Sequence, residues 1–224
     1  MIIKVCGLRD PQNILELART SINWMGFIFY EGSCRYAGRQ GLEAWLFTQR
    51  EALSGLRRVG VFVNAPHLEV LHKGQDLEAD LIQLHGEESP AYIRTLQKSW
   101  LEAGNPPVQW IKAFGLHPDF DFARLAAYQD MVDYFIFDTG SSHQRGGTGR
   151  PFDWQLLERY TGRKPFLLSG GIDVQSAAPI AGLRHPMLMG VDINSRFETQ
   201  PGHKDATSVR LFSQKLHAKT TRSI

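Results

Sequence analysis

The chain has 224 residues, of which 42% are hydrophobic and 21% charged, a balance that excludes collagen, disorder over most of the length and a highly charged tail protein. At this length roughly 70% of the unfolded surface can be buried, so a substantial core is expected. Lys and Arg number 25 against 23 Asp and Glu, a formal charge of +2, and this gives no electrostatic case for a nucleic acid or an anionic membrane as partner.

The first apolar run, Ile2–Cys6, predicts a strand, and Lys4 lies inside that run rather than ahead of it as in a secretory signal. Asp10 and Pro11 then supply an N-cap and a first-turn proline for a helix over Gln12–Ala18. The pattern continues with a strand at Trp24–Phe29, a helix at Leu42–Leu53, a strand at Val59–Val63 and a helix at Pro66–His72. Next come a strand at Asp80–Leu84, a helix at Pro90–Leu101, a strand at Val108–Ala113 and a helix at Asp121–Tyr128. Strands at Tyr134–Asp138, Pro165–Ser169 and Met187–Ile193 alternate with helices at Asp153–Tyr160, at Val174–Ala181 (interrupted by Pro179) and at Asp205–Leu216. The basic, polar stretch 217–224 is expected to fray.

Several runs are apolar on both faces, as in Phe135-Ile136-Phe137, which is what a parallel strand covered on both sides requires. Eight strand–helix units of about 28 residues fit βα repeats. With no linker or shift in composition, residues 1–224 are expected to form a single-domain (β/α)8 TIM barrel. A doubly wound open sheet is the alternative; against it, Cys6-Gly7-Leu8-Arg9 follows the first strand where a dinucleotide fold would carry Gly-x-Gly-x-x-Gly. No run approaches the ~18 apolar residues of a membrane helix, and the two cysteines form no disulfide framework. A soluble, cytoplasmic protein of a reducing compartment is expected. Nothing in the sequence sets its oligomeric state.

Active sites of such barrels lie at the C-terminal ends of the strands, and polar residues gather there: Cys6, Gln83 with His85, Asp138, Ser169 and Asp192. Glycine-rich turns come late. Gly147 sits in the turn after strand six, Gly170 and Gly171 follow strand seven, and Asn194 and Ser195 follow strand eight. Glycines admit a phosphate close to backbone N–H groups, and a following helix N-terminus adds a favourable dipole. Cys6 reads either as a small buried hydrophobe or as a thiolate stabilised at the barrel mouth. Asp138 closes an apolar strand, where desolvation favours the protonated acid. Together they would form a proton-transfer pair. His85 has no second ligand at metal spacing. Arg35 reads either as an exposed arginine or as a clamp for a carboxylate or phosphate. Lys4 shares the inward parity of Cys6 and is expected to be buried and paired.

In this order the segments resemble the phosphoribosylanthranilate isomerase family. The resemblance rests on Lys4-Val-Cys-Gly-Leu-Arg9, Gly26-Phe-Ile-Phe29 with Arg35-Tyr36, Val59-Gly-Val-Phe-Val-Asn64 and Gln83-Leu-His-Gly86. It continues through Phe137-Asp-Thr139, Gly146-Gly-Thr-Gly149, Leu168-Ser-Gly-Gly-Ile172, Gly190-Val-Asp-Ile-Asn-Ser195, Glu198, and Pro201-Gly with Lys204-Asp205. It implies an Amadori rearrangement of a small phosphosugar–anthranilate substrate, without metal or organic cofactor. Asp138 is then the general acid and Cys6 the general base. Arg35 meets the anthranilate carboxylate, Gln83, His85 and Asp192 line the site, and Gly170, Gly171, Asn194 and Ser195 hold the phosphate.

Two departures from the family pattern stand out. Cys34 replaces a loop proline beside Arg35, and Arg196 and Phe197 occupy positions that are often small. Cys34 also raises the expectation of an oxidative bridge to Cys6, provided their Cα atoms come within about 7 Å.

Overall fold

A computed structural model of the chain describes residues 1–38, 41–139 and 154–218. Strand β1 (Ile2–Cys6) pairs in parallel with both β2 (Trp24–Ile28) and β8 (Leu188–Ile193), so the sheet has no edge. Between them β3 (Arg57–Phe62), β4 (Leu81–Leu84), β5 (Gln109–Gly115), β6 (Tyr134–Asp138) and β7 (Phe166–Ser169) follow in sequence order, closing a parallel eight-stranded barrel. The open doubly wound alternative is thereby excluded.

Alternation along each strand sorts the side chains. Val59, Val61, Leu81, Ile111, Ala113, Ile136 and Leu167 fill the interior with Trp24 and Cys6, whereas neighbours such as Ile3, Val5, Phe27, Phe135 and Phe137 face outward into the larger core beneath the helices. Burial on both faces is why these strands are written as unbroken apolar runs.

The helices start where the sequence marks them. Asp10 accepts from the Asn13 amide at 2.8 Å to cap α1 (Pro11–Ala18), and Ser89 accepts from the Tyr92 amide to cap α4 (Pro90–Glu102), each with proline in the first turn. Others differ from expectation. Helix α2 (Leu42–Thr48) ends early, and Leu53 reaches the core through turns instead. Helix α3 (His67–Asp76) runs past His72, and Gly74 in its last turns lies under Trp100, where an added Cβ would meet the ring at 2.7 Å. Phe122–Tyr128 and Trp154–Arg159 are 3-10 turns, the first fixed by edge-on packing of Phe122 on Phe120 and Phe137. After β7, a 3-10 turn at Val174–Ser176 leads into the short α5 (Ala177–Gly182).

Beyond β8 the chain adds a 3-10 turn, Ser195–Phe197, and a small antiparallel hairpin of β9 (Glu198–Gln200) and β10 (His203–Lys204) before α6 (Ala206–Ala218). Of the stretch expected to fray, residues 217 and 218 continue α6 and 219–224 lie outside the described residues. No helix among the described residues is long and apolar enough to cross a membrane.

Candidate active site

A cleft of about 620 Å³ opens at the C-terminal mouth of the barrel. Cys6 reaches it from β1 and Asp138 from β6, three strands apart around the ring. His85, Arg35 and Asp192 also line it, and Ser169-Gly170-Gly171 and Asn194-Ser195 form the rim beside β7 and β8. Gly147 lies outside the described residues. No group of His, Cys, Asp and Glu among the described residues could hold a metal ion.

Cys6 is buried, and Gly26 on the neighbouring strand makes its position possible: a Cβ there would sit 3.0 Å from Sγ and 3.2 Å from Lys4 Cε. Burial pushes the Cys6 thiol up, while the positive charges of Lys4 and Lys204 pull it back. Burial thus opposes the expected thiolate, which needs more than loop N–H groups. Lys4 is fully buried beneath it, with Nζ 2.9 Å from both carboxylate oxygens of Asp192. Burial works against that ammonium, but Asp192 and Cys6 hold its pKa above the ordinary value.

Asp138 faces His85, with Oδ2 3.5 Å from Nε2. Gln83, expected to line the site, lies one layer lower: it is fully buried, and its Nε2 lies 2.8 Å from His85 Nδ1. With that amide as donor, the imidazole proton sits on Nε2 and points at Asp138. Thr139 Oγ1 donates to the carbonyls of Ser169 (2.9 Å) and Gly170 (3.1 Å), tying the end of β6 to the rim of β7.

Arg35 is drawn aside by Glu198. Its Nε is 2.8 Å and 3.1 Å from the two carboxylate oxygens and its Nη2 2.6 Å from Oε2, leaving Nη1 outside the pair. Nη1 lies 3.4 Å from Cys34 Sγ. Cys6 and Cys34 are both free thiols, and Cys34 packs against this guanidinium. Glu198 also accepts from Lys204 Nζ at 2.6 Å and from the Gly202 amide at 3.0 Å. Burial opposes ionisation of Glu198, yet Arg35 and Lys204 hold its pKa down to about 2.

The phosphate rim differs in detail from expectation. Gly170 and Gly171 take successive positive φ values of 94° and 63°, which only glycine adopts readily. The helical N-terminus after β7 is already occupied, because Asp173 Oδ1 accepts from the amides of Gln175 and Ser176 at 2.9 Å. Asn194 does not cap the turn after β8; its Oδ1 accepts from Lys204 Nζ at 2.6 Å. Arg196 is exposed on the cleft wall, whereas Phe197 is buried against Phe212, ring centroids 5.2 Å apart.

Residues 3–215 match the model of the N-(5'-phosphoribosyl)anthranilate (PRA) isomerase family. The chain belongs to that family. The N-(5'-phosphoribosyl)anthranilate isomerase of Parabacteroides distasonis is 46% identical over 96% of this chain and 93% of its own, and that of Phocaeicola vulgatus is 38% identical over 98% and 99%. Among solved structures, phosphoribosyl anthranilate isomerase from Thermotoga maritima superposes with a TM-score of 0.78 at 28% identity, covering 97% of this chain and all of that one. Another, at 26% identity and a TM-score of 0.76 over 97% of this chain, is a complex with reduced 1-(o-carboxyphenylamino)-1-deoxyribulose 5-phosphate. As a member of the family the chain is an isomerase of tryptophan biosynthesis.

Three residues around the site carry no signal in strand-end reading: Glu198 and Lys204, which arrive on the hairpin, and Arg9. Arg9 donates to the carbonyls of Cys34 at 2.9 Å and Pro201 at 2.7 Å, joining the loops after β1, β2 and β9.

Proposed function

We propose that this enzyme performs the Amadori rearrangement of N-(5-phosphoribosyl)anthranilate, with Asp138 as general acid and Cys6 as general base. The Asp138 proton passes to the furanose ring oxygen, the C1–O bond breaks toward that oxygen, and the nitrogen lone pair forms a C1=N cation. The cation acidifies the C2 hydrogen. Cys6 thiolate removes it, the C–H electrons become C1=C2, and the C1=N pair returns to nitrogen. The resulting enaminol becomes the aminoketose by loss of its C2 hydroxyl proton and gain of one at C1. Atoms balance without water, redox partner or metal.

The observation that carries this reading is that Cys6 and Asp138 line one cleft from strands three apart, with the glycine rim beside them. The His85 Nε2 proton would stabilise the carboxylate that Asp138 becomes. Arg35 meets the anthranilate carboxylate through the edge that Glu198 leaves, and Gly170, Gly171, Asn194 and Ser195 take the phosphate.

Loss of phosphoribosylanthranilate fluorescence tests the assignment. Cys6→Ala and Asp138→Asn should each reduce kcat by about 10²–10⁴-fold while both variants still bind the reduced product analogue. Normal turnover by Cys6→Ala would falsify the base assignment.

A further inference from the structure

A buried thiol is a poor base until something makes it an anion, and the residue placed to do that lies two positions earlier on the same strand. Lys4 and Cys6 both point into the barrel from β1. Opposite them the missing side chain of Gly26 brings Lys4 Cε and Cys6 Sγ within 3.2 and 3.0 Å of one point. An ammonium has three N–H donors. Two of the Lys4 donors are spent on Oδ1 and Oδ2 of Asp192, both at 2.9 Å, which fixes Nζ and leaves a third donor. Lys4 is wholly excluded from solvent and Asp192 nearly so. In so dry a setting a charge acts far more strongly on its neighbour than it would in water.

We propose that Lys4 is a positioning residue for the base: its ammonium, aimed by Asp192, offsets the burial of Cys6 and stabilises the thiolate that accepts the C2 proton. This rests on the reading of Cys6 as base and adds the group that makes that reading chemically workable. The other charges facing the sulfur are Asp192 on β8, Lys204 on β10 and Arg35 from the loop after β2, with Asp138 on β6 and His85 after β4 across the cleft. Lys204 is already bound by Glu198 and Asn194, and Arg35 by Glu198. Lys4 is the cation that shares the inward face of β1 with Cys6, two residues along the same strand, which neither Lys204 nor Arg35 does. Its positive charge favours the thiolate that burial opposes.

The test follows alkylation of Cys6 by iodoacetamide against pH in a Cys34→Ser background, where Cys6 is the remaining thiol of the two in the chain. Removing the cation in Lys4→Met should move the inflection of the rate upward by at least about one pH unit and reduce kcat at pH 7 about tenfold. Activity should recover as the pH is raised, with KM little changed. Lys4→Arg, which keeps the charge, should retain the Cys34→Ser inflection. An unchanged inflection in Lys4→Met overturns the proposal. So does a lowered one, because a merely structural loss would open the site to water and relieve the burial that raises the thiol. If Lys4→Met fails to fold, the neutral pair Lys4→Gln/Asp192→Asn should show a higher inflection than Asp192→Asn alone, since the two differ by the Lys4 cation; no upward shift between them likewise overturns it. Turnover by Cys6→Ala would instead remove the parent reading, and the alkylation profile keeps the two failures apart.

Discussion

The Arg35 guanidinium lies edge-on against the Glu198 carboxylate, 163 residues away in sequence, with Nε–Oε1 at 2.8 Å and Nη2–Oε2 at 2.6 Å. Such a two-point, charge-assisted pair fixes orientation as well as distance. It leaves Nη1, which also touches Cys34 Sγ, as the part of this cleft-lining guanidinium outside the pair. Glu198→Gln keeps an acceptor but loses the charge and the second short contact. Its KM should rise by about tenfold with kcat within a few-fold, the pattern of lost uniform binding. Steady-state kinetics decide it; an unchanged KM would separate Arg35 from substrate recognition.

Glu198 also links stability to pH. Its ordinary carboxyl pKa of 4.5 falls to about 2 in the folded protein. A lowered folded pKa means the unfolded chain takes up the proton first on acidification. The stabilisation is therefore complete above about pH 4.5 and is lost as the pH falls toward 2. Urea midpoints of wild type and Glu198→Gln should differ by a constant amount between pH 5 and pH 8, converging below about pH 4. A gap that stayed constant down to pH 3 would contradict the pairing.

Gly202 sits at φ +82° at the tip of the β9–β10 hairpin, and a Cβ there would lie 2.3 Å from Arg9 Nε. Gly202→Ala should cost about 1–3 kcal/mol from the strained backbone and the displaced arginine together. Because Arg9 ties the hairpin to the Cys34 loop, affinity for the reduced product analogue should fall as well. Thermal denaturation and analogue titration check the two parts separately.

At Gly26 the crowding falls on the proposed base itself, as an added methyl would meet both Cα and Sγ of Cys6 at 3.0 Å. Gly26→Ala should destabilise by about 1–3 kcal/mol and lower kcat by a larger factor than Gly60→Ala, whose Cβ would meet only the Phe62 and Ile82 side chains of the barrel. Equal losses of kcat in the two variants would show that the space beside Cys6 has no special importance.

Thr139 serves the rim without touching it from within the cleft. Thr139→Val removes one hydroxyl that reaches two carbonyls, and the unmet hydrogen bonding should cost about 1–3 kcal/mol. A rise in KM should accompany the loss, since the Ser169-Gly170 turn is released. An unchanged KM would exclude the rim from substrate binding.

The eight strands are legible in the sequence because a strand covered on both faces must be apolar at consecutive positions, as Tyr134–Phe137 is. Cys6, Asp138 and Asp192 are legible as site residues for the complementary reason: a polar group ending such a run must face the open mouth. The same rule misplaces Gln83. It too ends an apolar run, but β4 stops only one residue later, and the chain reaches the cleft at His85. Strand-end polarity reports the inward direction and not the depth. The 3-10 turns at Phe122–Tyr128 and Trp154–Arg159 escape for another reason, since helical spacing is shared by both windings and the packing of Phe122 chooses between them.

By itself, then, the sequence determined the barrel, its inward and outward faces and the strands that end in polar groups at the cleft, since these follow from periodicity and from the cost of burying polar atoms. The tertiary structure alone decided which charge answers which. Arg35 meets Glu198 163 residues away, and Lys4 closes on Asp192 188 residues away. Pairs so distant along the chain leave no periodic trace, because what joins them is the closure of the ring between β1 and β8 and the hairpin folded over its mouth.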